Sequence, residues 1–162
     1  MKRHIILGHI AFGMAITAFS AGVAVAQVAP ENVEYTDGAI EQSLSGTPGN
    51  PEDGKKVFAT AGLGNCVACH AAEITKDIPF PGTVGPALDG AADRWTEAQL
   101  RGIVAKSKMT FDGTIMPSFY QTAGYIRPGD AYTGKAGTEP LPPILSAQQV
   151  EDVVAFLLTF KE

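Results

Sequence analysis

Five consecutive residues, Cys66-Val67-Ala68-Cys69-His70, carry the most legible chemistry in this chain. Two cysteines at this spacing can each add a sulfur to a vinyl group of a porphyrin, and C-x-x-C-H is the attachment signature of a c-type haem. The next residue is carried under the ring, where an imidazole nitrogen can bind the iron. The expectation is one covalently attached haem c, with Cys66 and Cys69 as its thioethers and His70 as an iron ligand.

Other uses of these residues fit less well. A structural zinc takes about four ligands, usually Cys or His. Beyond residue 26 the chain has no further Cys and no His besides His70. A thioredoxin-type C-x-x-C follows a strand in a βαβ pattern, and the flanks show no such alternation. A disulfide between Cys66 and Cys69 would close a very tight loop and leave His70 without a role.

A methionine opposite a histidine suits a haem iron that transfers electrons. Beyond residue 26 only Met109 and Met116 are present. Met116 sits in a stretch shaped by Gly113 and Pro117, from which a side chain can be aimed at a ring, and it is the expected second ligand. Met109 lies near a helix end and is expected to fill the core; with an exchangeable lysine or water it remains the alternative ligand. A metal-binding His commonly donates its other ring N–H to a carbonyl, and the Gly85-Pro86 turn is the expected source, against an ordinary surface turn. Arg94 and Trp95 have two readings: partners for a haem propionate, or a surface arginine and a core tryptophan. No general base or nucleophile stands beside these residues, so no catalytic residue is expected.

Helices must hold these groups. Asn50 as N-cap, Pro51 in the first turn and Glu52 and Asp53 at the positive helix end predict a first helix. Gly54 and Phe58 on that helix suggest close packing of another one. Thr96 with Gln99 forms a capping box, followed by Leu100, Ile103 and Val104 at helical spacing. Ser146 with Gln149 forms a second box, and Val150, Val153, Val154, Leu157 and Leu158 make an apolar stripe widened by Phe156. The expected partner of that stripe is the Gly54/Phe58 edge. Residues 118–145 read as a long insert whose three tyrosines argue for packing on the domain or on a partner.

Residues 1–26 read as a secretory signal: Lys2 and Arg3, an apolar run from Ile5 to Val25, and the small-residue site Ala24-Val25-Ala26. An uncleaved membrane anchor is the alternative. Cleavage would leave 136 residues with 10 basic and 17 acidic side chains, a net charge of −7, which argues against nucleic acid as a partner. The expected organisation is a signal peptide over 1–26, an N-terminal arm over 27–49, either a disordered leader or an arm that packs on a partner, and a haem domain over 50–162. Export fits haem attachment, which occurs outside the cytoplasm in bacteria, and makes the periplasm the expected location, with no membrane span after cleavage.

The motif order, C-x-x-C-H after a Gly-containing helix, then Gly85-Pro86-Ala87-Leu88, then Met116-Pro117, then an aromatic-containing last helix, resembles class I cytochromes c over residues 50–162. That resemblance implies an all-α fold packed around one covalently bound haem, with a long loop insert before the C-terminal helix and with His70 and Met116 as ligands on opposite faces. Phe80-Pro81-Gly82-Thr83-Val84-Gly85-Pro86, Asp93-Arg94-Trp95, Arg101-Gly102-Ile103-Val104, the run Gly113 to Tyr120 and the segment Leu145 to Val154 are similar to the SoxX family. This narrower resemblance implies the monohaem, electron-transfer subunit of a SoxAX cytochrome. Its implied partners are a SoxA-like dihaem or monohaem catalytic subunit in a heterodimer, a SoxY-type carrier whose cysteine is oxidatively linked to thiosulfate, and a soluble cytochrome that takes the electrons. It further implies L-cysteine S-thiosulfotransferase activity for the complex, with this chain itself non-catalytic. Two other classes stay open on the sequence: a stand-alone electron-shuttling cytochrome c of respiration, and a haem-based sensor, which would need an open iron position.

Overall fold

The computed structural model of the chain describes residues 27–129 and 134–162. The proposed signal segment and Tyr132 of the insert lie outside them. Four α-helices order the chain: α1 (Pro51–Ala59), α2 (Ala91–Arg94), α3 (Glu97–Lys106) and α4 (Ala147–Leu157), joined by long irregular segments and single 3₁₀ turns. Among the described residues the only β pairing is two isolated bridges. No described helix is long and apolar enough to cross a membrane.

The helix ends follow the side chains expected to make them. Asn50 accepts from the Glu52 N–H at 2.9 Å, and both capping boxes close, Thr96 with Gln99 and Ser146 with Gln149. The first helix stops at Ala59, where Thr60 returns its N–H to Lys56 O. The stripe on α4 is buried at Val150, Val153, Val154, Phe156 and Leu157, each such side chain contributing about 1.5–3 kcal/mol. Leu158 is half-buried, because α4 ends at the residue before it.

The α1 edge at Gly54 and Phe58 packs against α4. A side chain on Gly54 would run into Asp152 O and stand 2.8 Å from Phe156 Cβ. Phe58, Phe156 and Phe160 meet edge to face or tilted, with centroids 4.9–5.9 Å apart. Such pairs contribute about 0.5–1.5 kcal/mol beyond their buried area.

Residues 27–49 are a packed segment. Ile40 and Leu44 are buried, Ile40 N–H donates to Ala98 O at 2.9 Å, and Tyr120 OH donates to Val28 O at 2.6 Å. The strongest tie is polar. Glu151 on α4 accepts from Leu44 N–H at 2.6 Å, Ser43 Oγ at 3.1 Å and Arg101 Nε at 3.0 Å. Arg101 on α3 also donates to Ile40 O at 2.8 Å and to the Glu97 carboxylate. This explains a departure on α3. Its buried face includes Arg101, Gly102 and Ala105 beside Leu100 and Val104, while Ile103 is only half-buried. The arm covers a side of the helix that apolar spacing does not mark, and Gly102 is there because Gly38 O presses on it.

The insert is anchored at its base. Phe119, Tyr120 and Leu145 are buried, with Tyr120 N–H on Ala105 O at 3.0 Å and Leu145 N–H on Phe119 O at 3.0 Å. Farther out, Tyr125 OH donates back to Gln121 O and Ile126 is fully exposed.

The buried pair and its rim neighbour make opposite predictions. Arg101→Leu leaves Glu151 charged and buried without its cation, at an expected cost of about 3–5 kcal/mol. Glu97 is 58 % exposed, so Glu97→Gln should cost only about 0–1 kcal/mol. Chemical denaturation of the haem-loaded protein measures both.

Candidate functional site

The 3₁₀ turn Cys66–Ala68 gathers the motif onto one turn of backbone. The Cys69 and His70 N–H groups both donate to Cys66 O, at 3.1 and 2.9 Å. Asn65 leads into it at φ +48°, a left-handed conformation that Asn tolerates better than most residues. Val67 points into the core, which turns the cysteines and His70 toward the partly exposed side. The two thiols are free. Burial pushes the Cys66 thiol up to about 12, so it stays neutral at ordinary pH. A neutral sulfur in apolar surroundings suits a thioether rather than a thiolate metal ligand.

The glycine- and proline-rich stretch 80–90 runs alongside the motif. Gly82 N–H donates to Val67 O at 2.8 Å, Gly85 N–H to Cys69 O at 2.8 Å, and Leu88 N–H to Ala71 O at 2.9 Å. Between them, His70 Nδ1 lies 2.7 Å from Pro86 O. A carbonyl only accepts, so Nδ1 carries the proton and Nε2 presents its lone pair. The glycines are dictated by this closeness: a side chain on Gly82 would meet Ala68 O, and one on Gly85 would enter the His70 ring, within 2.6 Å of Nδ1. The sequence pointed to the Gly85-Pro86 turn for this carbonyl but not to the close approach that requires glycine at 82 and 85. The signal was their position in a stretch too rich in glycine for an ordinary turn.

Arg94 and Trp95 flank this loop. Arg94 Nη1 donates to Asp89 O at 2.6 Å, gripping the loop beyond Leu88. Trp95 is partly buried against the core and meets Phe111 edge-on at 5.8 Å.

Met116 lies on a second loop and packs, partly buried, against the core. Its carbonyl accepts from Ser107 Oγ at 3.1 Å and Lys108 Nζ at 2.6 Å, and its N–H donates to Thr114 Oγ1 at 3.2 Å. Sequence reasoning missed all three side chains. Met109, expected in the core, is instead 46 % exposed. The 3₁₀ turn Ser107–Met109 spends its inward position on Ser107 and leaves Met109 outside.

The donor set, an oriented imidazole, a thioether sulfur and two free thiols, matches what haem c requires. The loops also carry apolar side chains outward. Phe80 and Val84, on the His70 side, are 92 % and 68 % exposed, and Ile115, beside Met116, is 81 % exposed. An apolar ring has matching surface on both sides. Among the described residues no group of three or more His, Cys, Asp or Glu is placed to hold a metal ion.

Comparison with known proteins agrees with this geometry. Residues 51–161 match the family model described as cytochrome c. A crystal structure of SoxXA from P. pantotrophus contains a chain 63 % identical to this one, with a TM-score of 0.82, over 85 % of this chain and 100 % of that chain. The comparison with curated proteins found no match.

Gly85→Ala should displace the His70 ring, since the added carbon cannot avoid it. The expected cost is about 1–3 kcal/mol, read as a lower denaturation midpoint of the haem absorbance. Gly62→Ala, where nothing lies within 4 Å, should stay within about 0.5 kcal/mol of the parent.

Proposed function

The chain belongs to the cytochrome c family as a SoxX-type electron-transfer subunit with one haem c, and from that premise we propose how it works and where. His70 would bind the iron through Nε2, Met116 would bind it through sulfur, and Cys66 and Cys69 would hold the ring covalently. The observation that carries this reading is the His70–Pro86 hydrogen bond, which fixes the tautomer with Nε2 available. Pro86 thereby acts on the cofactor through the histidine, and Arg94, which holds the same loop at Asp89 O, and Trp95, which packs beside Phe111, are the candidate propionate partners.

Haem c supplies a one-electron couple between ferric and ferrous iron. What this chain adds is rigidity. Cys69 and His70 share one carbonyl partner, the loop 80–90 locks onto the motif through successive hydrogen bonds, and the Met116 backbone is held at both its polar groups. Ligands held this firmly need little movement when charge changes, which favours electron transfer over ligand exchange. With His70 and Met116 both holding the iron, the haem would leave no place for a substrate, and bond-making is assigned to the partner.

That partner is of the SoxA type, and the complex is proposed to act as an L-cysteine S-thiosulfotransferase. Joining thiosulfate to a thiol forms one S–S bond and releases two electrons and a proton. A one-electron carrier takes the electrons singly and passes them to a soluble cytochrome. The carrier thiol is proposed to be a SoxY-type cysteine, and the location the periplasm, reached through the signal segment 1–26.

Native purification from thiosulfate-grown cells tests this, following the chain's haem absorbance. The expected result is co-elution with a second haem subunit, and thiosulfate consumption by the pair only when the carrier protein is added. Elution as a lone redox-active monomer without effect on thiosulfate would instead identify a free electron shuttle.

A further inference from the structure

We infer that Ser107 and Lys108 are positioning residues for Met116, forming a clamp on its carbonyl that governs how readily the methionine sulfur is displaced from the iron. This rests on the reading of Met116 as an axial ligand.

The Met116 carbonyl accepts from two side chains adjacent in sequence, at the point where α3 gives way to a 3₁₀ turn. Ser107 is fully buried, so its hydroxyl bond is shielded from competing water. Lys108 is exposed but brings a charged donor, which makes a stronger bond than a neutral one. On the other side of the residue, Thr114 Oγ1 takes the Met116 N–H. Gly113 turns at φ +69°, and Pro117 fixes its own φ and lacks a donor, so the chain just after Met116 offers no amide to replace the side-chain bonds.

A methionine side chain is flexible, with several rotatable bonds, so its sulfur can leave the iron by rotation alone. What the clamp controls is the origin of that side chain. With the backbone held, a departed sulfur starts near its site and rebinds. With the clamp loosened, the loop can swing away and the open state gains population. A ligand that binds only the open state then binds more tightly in proportion to that population. This separates the clamp from general stabilisation, because Lys108 lies at the surface and its replacement leaves the core intact.

The probe is exogenous imidazole, titrated against the ferric haem-loaded protein, with the methionine–iron charge-transfer absorption followed in parallel. Ser107→Ala and Lys108→Met should each bind imidazole about three- to tenfold more tightly than the parent, as expected for loss of one hydrogen bond. Lys108→Arg, which keeps a charged donor, should return to within about twofold of the parent. Parent-like affinity in both Ser107→Ala and Lys108→Met would overturn the clamp while leaving Met116 as ligand. A parent protein without the methionine band, or a Met116→Ala variant with unchanged imidazole affinity, would remove the axial assignment and the clamp with it.

Discussion

The close approach of α1 and α4 at Gly54 is the constraint on which the other parts depend. With no side chain at that position, the α1 backbone lies against Asp152 O on α4. A wider crossing would separate Phe58 from Phe156 and Phe160 and open the core. The haem motif begins seven residues after α1 ends, so the crossing also fixes where Cys66 starts and which way His70 can face. Gly49, just ahead of the Asn50 cap, makes a second close approach, beneath Glu151 O and Ala155.

The acidic residues on α4 extend this frame with polar ties. Asp152 Oδ1 accepts from Asn50 N–H at 2.9 Å, joining the start of α1 to α4. Glu151 gathers Leu44, Ser43 and Arg101, joining α4 to the arm and α3. A buried ion pair contributes little net stability against an apolar alternative, but removing one member is costly. Its effect here is to make the arm part of the domain. Tyr120 reaches the arm as well, so the base of the insert is tied into the same network.

Much of this was legible in the chain. The helix caps, the α4 stripe and the Gly54/Phe58 edge rest on local rules that tertiary structure did not override. C-x-x-C-H read directly because its spacing is set by covalent chemistry, and the expected turn carbonyl for His70 is that of Pro86. What escaped depends on contacts distant in sequence. The burial of Glu151, Asp152 and Arg101 carries no local signal, because such residues are seldom buried without partners, and the partners that bury them, Leu44, Asn50, Ile40 and the Arg101–Glu151 pair itself, lie fifty or more positions apart. The arm has no period because it adopts no regular element and follows the surface of α3 and α4. Met109 was expected in the core near the helix end, but after Lys106 the backbone tightens to a 3₁₀ turn that leaves it outside. Ser107 and Lys108 looked like a polar helix end until the fold brought Met116 beneath them.

The account joins two kinds of rigidity. Hydrogen bonds between Cys66–His70 and Gly82–Leu88 hold one side of the site, where the thioethers are proposed to form, and side-chain clamping holds Met116 on the other. Exposed apolar side chains, Phe80, Val84 and Ile115, lie on the two loops. Such a site suits passing electrons to and from a neighbouring subunit. The most direct test is rapid mixing of the oxidised native complex with thiosulfate and the thiol carrier, following reduction of this chain's haem. The account predicts that its ferrous spectrum develops as the conjugate forms, and only when the carrier is present. Conjugate formation while this haem stays ferric, or equal reduction of the isolated chain by thiosulfate alone, would contradict it.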